Sequence, residues 1–250
     1  MRADNGDSVM EYGGVCDIGL ERTINQDAVF MAARGEIGLF CVADGMGGHS
    51  HGERASREVT DSMAGWWKEF QETSFDCDFS RMIYSLNQML ERANRNIWRM
   101  SGGKEVSGTT AVVLFIYRGR YGILSAGDSR IYRYDRTQMR QMTVDEVWEN
   151  QTNLCVSNRV KRQHPNRGKL VNAIGIAEDV RITSSTDEAH PGMIFMLCSD
   201  GVYKMCPERV IGKYLKKCRR GPLDAVLHSL LKKIYDAGAR DNISAVLVRI

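Results

Sequence analysis

Apolar residues fall into two rhythms along this chain. Short runs in which most positions are apolar or small (Val9 to Ile18, Ala28 to Ala33 and Gly38 to Ala43) come first and predict strands. Two stretches of helical periodicity follow. In Glu53 to Phe70 the residues Ala55, Val59, Met63, Trp66, Trp67 and Phe70 share one face. In Ser80 to Met100 the shared face is Met82, Leu86, Met89, Leu90, Ala93 and Ile97. Such stripes predict amphipathic helices laid on a core.

The middle of the chain returns to strands. Thr109 to Tyr117 is β-branched and apolar, turns at Arg118-Gly119-Arg120 and continues as Tyr121 to Ala126. Ile131 to Tyr134 and Gln138 to Met142 flank a second turn at Asp135-Arg136-Thr137, a pattern of antiparallel sheet. Residues 144–169 are polar and weakly periodic, and predict a short helix within an exposed flap. A strand at Ile194 to Cys198, helices at Pro207 to Lys217 and Leu223 to Ala237, and a closing strand at Ile243 to Ile250 complete the series. No repeat or Pro/Gly-rich linker interrupts it, so residues 1–250 read as one domain. The grouping of elements predicts an α+β fold, two sheets face to face with helices outside.

Composition narrows the setting. Over 250 residues, 43 % apolar and 26 % charged content is that of a globular protein, and a net charge of +3 gives no reason to expect nucleic acid or an anionic membrane. The basic run Lys213, Lys216, Lys217, Arg219 and Arg220 reads as a helix C-terminus, where cations complement the dipole. Seven cysteines form an odd set without a Cys-x-x-Cys pair, and Cys16, Cys41 and Cys198 sit in or beside apolar runs. That usage points to reduced thiols and a cytoplasmic protein. There is no secretory pattern at the start and no apolar run long enough to span a membrane. Gly102-Gly103-Lys104 precedes Glu105 rather than Ser or Thr, and Gly45-Met46-Gly47-Gly48 lacks the dinucleotide spacing, so neither binds a nucleotide by the familiar motifs. Cys198 is not followed by arginine at position 204, which excludes the cysteine-phosphatase loop.

Three apolar strands run into aspartate: Asp44-Gly45, Asp128-Ser129 and Asp200-Gly201, while Asp241-Asn242 stands just before the last strand. Each alone reads as a turn residue. Gathered at the rim of a sheet, the same carboxylates would raise one another's pKa unless a cation neutralised them. Oxygen donors of this kind suit magnesium, manganese or calcium rather than zinc. Arg22, in Arg22-Thr23-Ile24-Asn25-Gln26-Asp27, fits either a surface ion pair or the oxygens of a phosphate.

The ordered set Arg22…Asn25-Gln26-Asp27, Val42-Ala43-Asp44-Gly45-Met46-Gly47-Gly48-His49, Ser107-Gly108-Thr109-Thr110-Ala111, Gly127-Asp128-Ser129-Arg130, Cys198-Ser199-Asp200-Gly201 and Asp241-Asn242 resembles the type-2C, metal-dependent serine/threonine protein phosphatases in their bacterial form. The resemblance implies a four-layer αββα sandwich of two antiparallel sheets flanked by helices, with two to three Mn²⁺ or Mg²⁺ ions at one end. It implies that Asp44 bridges two ions, with the Gly45 carbonyl on one and Asp200 and Asp241 completing the first. Asp27 would act through a water, Asp128 with Asp200 would hold a third ion, and Arg22 would bind the substrate phosphate. Hydroxide formed between the metals would attack phosphorus directly, with no phosphoenzyme.

Two departures stand out. Animal members carry histidine directly after the metal-site Asp-Gly, where this chain has Met46; His49 is then either a candidate general acid or a loop-packing residue. Val144-Asp145-Glu146-Val147 replaces a segment often Asp-His-Ser. The partners implied are phosphorylated proteins, the substrates of a serine/threonine kinase, and the chain is expected to act as a monomer. A catalytically weak relative that binds phosphoproteins is the alternative; its usual mark, a lost metal aspartate, is absent.

Overall fold

The computed structural model describes residues 10–47, 51–72, 78–103, 107–151 and 157–250. Strands β1 (Glu11–Asp17), β2 (Asp27–Arg34) and β3 (Ile37–Gly47) precede helices α1 (His51–Glu72) and α2 (Phe79–Met100). Then come β4 (Ser107–Thr109), β5 (Ala111–Tyr117), β6 (Arg120–Ala126), β7 (Arg130–Asp135), β8 (Gln138–Gln141) and α3 (Asn158–Gln163). The last third holds β9 (Thr183–Glu188), β10 (Ile194–Cys198), α4 (Asp200–Tyr203), α5 (Glu208–Lys217), α6 (Leu223–Tyr235) and β11 (Ile243–Arg249).

Two antiparallel sheets result, one ordered β1-β11-β10-β7-β8 and the other β2-β3-β5-β6-β9, with β4 added to β3. Alternation along the strands builds the layers. Leu39, Cys41 and Ala43 of β3 pack with Val59, Met63, Leu86 and Leu90 of α1 and α2. Phe40 and Val42 point the other way and meet Phe195, Leu197 and Val246 of the second sheet. That sheet's outer face, with Met196, Ala245 and Leu247, is covered by Ile211, Leu215, Leu227 and Leu230 of α5 and α6. Both faces of the central strands are thus buried, which is why they read as unbroken apolar runs even though the sheets are antiparallel. The αββα sandwich is the expected one. Each fully buried side chain, such as Phe40 or Phe195, contributes roughly 2 kcal/mol of hydrophobic stabilisation.

Several details differ from the sequence reading. β3 does not stop at Ala43 but runs through Asp44 to Gly47, because at Asp44 it exchanges β5 for β4 as its partner. Thr109 to Tyr117 is accordingly broken at Thr110. β9 was not expected: its six residues are exposed and polar, and backbone pairing to the β6 edge, not burial, makes them a strand. α4, which starts at Asp200, was not expected either. The flap is less exposed than expected at its base, where Glu146 and Val147 are buried, while Trp148 stacks on His164 at 3.8 Å. Cys41, Cys198, Cys206 and Cys218 are buried free thiols, but Cys16 is exposed on the outer strand β1; Cys77 and Cys155 lie outside the described residues. Among the described residues no helix is long and apolar enough to cross a membrane.

Candidate metal centre

One end of the sandwich opens into a cavity of about 510 Å³, lined by Arg22, Asp44, Gly45, Asp128, Asp200 and Asp241 among others. The two sheets supply these groups from opposite sides. Asp44 lies in β3, and Asp27, its register partner across from β2, sits directly behind it. Asp200 follows β10 and Asp241 precedes β11, in the other sheet. Asp128 stands on the short crossing between β6 and β7, where the chain passes from one sheet to the other. Acids far apart in sequence therefore meet.

The Asp-Gly pairs are not turns. Neither Gly45 nor Gly201 has a positive φ. A Cβ on Gly45 would stand 2.2 Å from the Gly52 carbonyl oxygen, and one on Gly201 would stand 2.0 Å from the Asn242 carbonyl oxygen. Glycine is required here because backbones pass close together, bringing α1 against β3 and α4 against the start of β11.

Hydrogen bonds hold Asp44 by its backbone, and Asp27 and Asp241 by their carboxylates. The Thr110 amide donates to the Asp44 carbonyl at 2.9 Å, and the Asp44 amide donates to Thr110 Oγ1 at 3.0 Å. Thr109 Oγ1 adds a third bond to the Asp44 carbonyl at 3.0 Å, so the Thr-Thr motif clamps Asp44 where β3 changes partner. Ser199 Oγ donates to Asp27 Oδ2 at 2.8 Å and accepts from the Ser244 amide at 3.0 Å, joining the two sheets beneath the cavity. Asn242 Oδ1 accepts from the Gln26 amide at 2.9 Å, and its Nδ2 donates to the carbonyls of Ile18 at 2.9 Å and Ile24 at 3.1 Å. This one side chain fastens the Arg22 loop to β11. Arg22 itself forms a two-point pair with Asp241, Nε to Oδ1 at 2.8 Å and Nη2 to Oδ2 at 3.0 Å.

Electrostatics bear out the crowding. Burial pushes the Asp44 carboxyl well above the usual carboxylate range, and Asp27, Asp200, Asp128 and Asp241 add to the shift. Burial pushes Asp27 up to about 7, against the Ser199 hydrogen bond. Asp128 is pushed up to about 6 by burial and then by Asp200, with Lys204 opposing. Among the described residues no three acidic, histidine or cysteine side chains form a closed chelating group; Asp200 is held by Lys204 and Asp241 by Arg22. The donor set nevertheless fits a divalent ion: hard carboxylate oxygens, a neighbouring backbone carbonyl at Gly45, and carboxyls whose ionisation needs a nearby positive charge.

Several residues that support the site carry no local mark in the sequence. Arg130 forms a two-point pair with Asp145, Nε to Oδ1 at 3.0 Å and Nη2 to Oδ2 at 2.6 Å, and also binds Tyr132 and Glu208. Its guanidinium lies 3.6 Å over the Tyr203 ring, and the Tyr203 hydroxyl donates to Asp128 Oδ2 at 3.2 Å. Glu146 accepts from the Gly127 amide at 3.0 Å and from Arg181 Nη2 at 2.7 Å, tying the flap to the Asp128 crossing. The Asp145-Glu146 pair that departs from the familiar pattern is thus structural support. Its signal lay in two acids beside a β7 arginine, but no periodicity links them. His49 lies outside the described residues.

At one end of the sandwich, oxygen donors thus converge from both sheets beside an arginine fork. The chain belongs to the protein phosphatase 2C family, whose model matches residues 21–247. It is 28% identical over 97% of its length to the serine/threonine protein phosphatase PstP of Mycobacterium tuberculosis, of which it spans 45%. It is also 28% identical to the serine/threonine phosphatase Stp of Listeria innocua, over 84% of this chain and 83% of that protein. Among solved structures, PppA of Pseudomonas aeruginosa superposes with a TM-score of 0.80 at 28% identity, covering 97% of this chain and 98% of that one. The PstP catalytic domain in complex with two manganese ions gives a TM-score of 0.75 at 25% identity, over 96% of this chain and 97% of that one.

Proposed function

We propose that this chain hydrolyses phosphoserine and phosphothreonine in other proteins with the aid of Mn²⁺ or Mg²⁺, and that its residues form one catalytic domain. The observation that carries this reading is the meeting of Asp44, Asp128, Asp200 and Asp241 with Arg22 around one cavity. The phosphatase names of the Mycobacterium and Listeria relatives, and the manganese in the PstP complex, support it.

Asp44, the Gly45 carbonyl, Asp200 and Asp241 would hold the ions, with Asp27 supporting them from behind Asp44. When bound, such ions supply Lewis acidity and a water activated at neutral pH. The chain's own groups do the positioning. Thr109 and Thr110 hold Asp44 still, and Ser199 holds Asp27. Arg22 presents the Nε and Nη2 fork that now grips a carboxylate, and phosphate oxygens match the same geometry. Leu170 and Ile176 give the cavity an apolar wall on one side. His49 is the candidate donor of a proton to the leaving oxygen. A binding-only relative is disfavoured because none of the expected aspartates is missing.

The substrates we envisage are proteins phosphorylated by a serine/threonine kinase, met by a monomer in the cytoplasm; the buried free thiols accord with a reducing compartment. The test is release of phosphate from a phosphothreonine peptide with and without Mn²⁺. Asp44→Ala should lower the rate by at least about 10²-fold, the scale seen when one electrostatic stabiliser is removed. Inactivity of the unaltered chain across metals and a peptide panel would refute the reading.

A further inference from the structure

The third ion implied by the resemblance would lie between Asp128 and Asp200, and there a side chain already brings positive charge. Lys204 is one helical turn beyond Asp200; its amide donates to the Asp200 carbonyl at 2.9 Å, and its ammonium pairs with Asp200 Oδ2. Lys204 lines both cavities that contain Asp128, the metal cavity and a smaller one beside the flap. Asp128 is turned to the same place by the Tyr203 hydroxyl, from the residue just before Lys204.

We infer that the Lys204 ammonium is a built-in substitute for the third divalent ion, so that this chain works with a centre of two ions. The inference rests on the metal-dependent reading above and deepens it. On the flap side of Asp128 and Asp200 the nearby acids are taken: Asp145 by Arg130, and Glu149 by the Gly168 amide at 2.8 Å. With Asp44 given to the first two ions, only Asp128 and Asp200 remain for a third, which would have to fill most of its six or more oxygen positions with water. A tethered ammonium meets these two carboxylates at an effective concentration on the order of millimolar or above, so it outcompetes a dilute ion. With two dications bound, Arg22 and Lys204 bring the positive charges to a number above that of the five aspartates. A third dication would then be repelled rather than drawn in.

Equilibrium dialysis of the full chain against Mn²⁺ at neutral pH, read by elemental analysis, tests this without reference to activity. The unaltered protein should bind two ions per chain, and Lys204→Ala should bind three. Lys204→Ala combined with Asp128→Asn should return to two. Lys204→Gln, which keeps most of the stem, serves if the alanine variant is misfolded by circular dichroism. Three ions on the unaltered chain, or no gain on removing the ammonium, would overturn the inference and leave the phosphatase reading intact. No bound Mn²⁺ at all would remove both.

Discussion

Asn242 offers the most direct test of how the site is assembled. Its side chain makes three hydrogen bonds at 2.9, 2.9 and 3.1 Å to backbone groups of Gln26, Ile18 and Ile24, and it is 6 % exposed. Asn242→Ala deletes all three partners and leaves an amide and two carbonyls without them. A buried polar group stripped of its partner costs about 1–3 kcal/mol. These backbone groups are only partly buried, so roughly 1 kcal/mol apiece, about 3 kcal/mol in all, is the expected loss. In a chain of this size that lowers Tm by about 6–12 °C, measured by calorimetry in EDTA. The same change frees the loop carrying Arg22, so KM for a phosphopeptide should rise more than kcat falls. Asn242→Asp keeps the acceptor for Gln26 but loses both donations, and should fall between. A Tm within about 2 °C of the parent for Asn242→Ala, which corresponds to less than 1 kcal/mol, would refute the claim that this side chain fastens the loop.

Other outcomes follow from the same geometry. Gly201→Ala places a methyl 2.0 Å from a backbone oxygen; the strain should cost at least about 1–3 kcal/mol and weaken Mn²⁺ binding, read by Tm and by metal titration. Arg130→Ala strips Asp145 of its two-point pair and should destabilise by about 3 kcal/mol in urea unfolding. Arg130→Lys should recover little of that, since an ammonium cannot reproduce the fork. Asp27 has its folded-state pKa raised from 3.8 to about 7, so between those values the folded chain holds a proton that the unfolded chain has lost. Stability in EDTA should therefore be greatest at low pH within that window and decline as pH rises toward 7, by up to a few kcal/mol. Saturating Mn²⁺ should flatten the decline in urea titrations at pH 5 and 7.5; equal stability at both pH values in EDTA would count against it.

The order of elements and the two-sheet core were legible because buried strands and amphipathic helices leave periodic marks, as in β10 or the α2 stripe. The site was legible for a different reason. Its aspartates sit beside glycines and threonines in short fixed motifs, and those small residues are needed for close backbone passage and for clamping Asp44. The elements that local sequence does not reveal have no periodicity. β9 is made of exposed polar residues, and its identity as a strand depends on the free edge of β6. Lys204 and Tyr203 look like ordinary helix residues until Asp128 arrives from 75 residues away in sequence. The pairings of Asp145 and Glu146 likewise depend on tertiary placement and cannot be read from local sequence.

Because Asp27 and Asp44 belong to one leaf of the sandwich and Asp200 and Asp241 to the other, an ion held among them would act as a clasp across the open seam. The spacing of the leaves is set by interdigitated residues such as Phe40, Phe195 and Val246, well inside the mouth. A shaved or swollen side chain there would widen or pinch the seam and detune ion capture without touching any ligand.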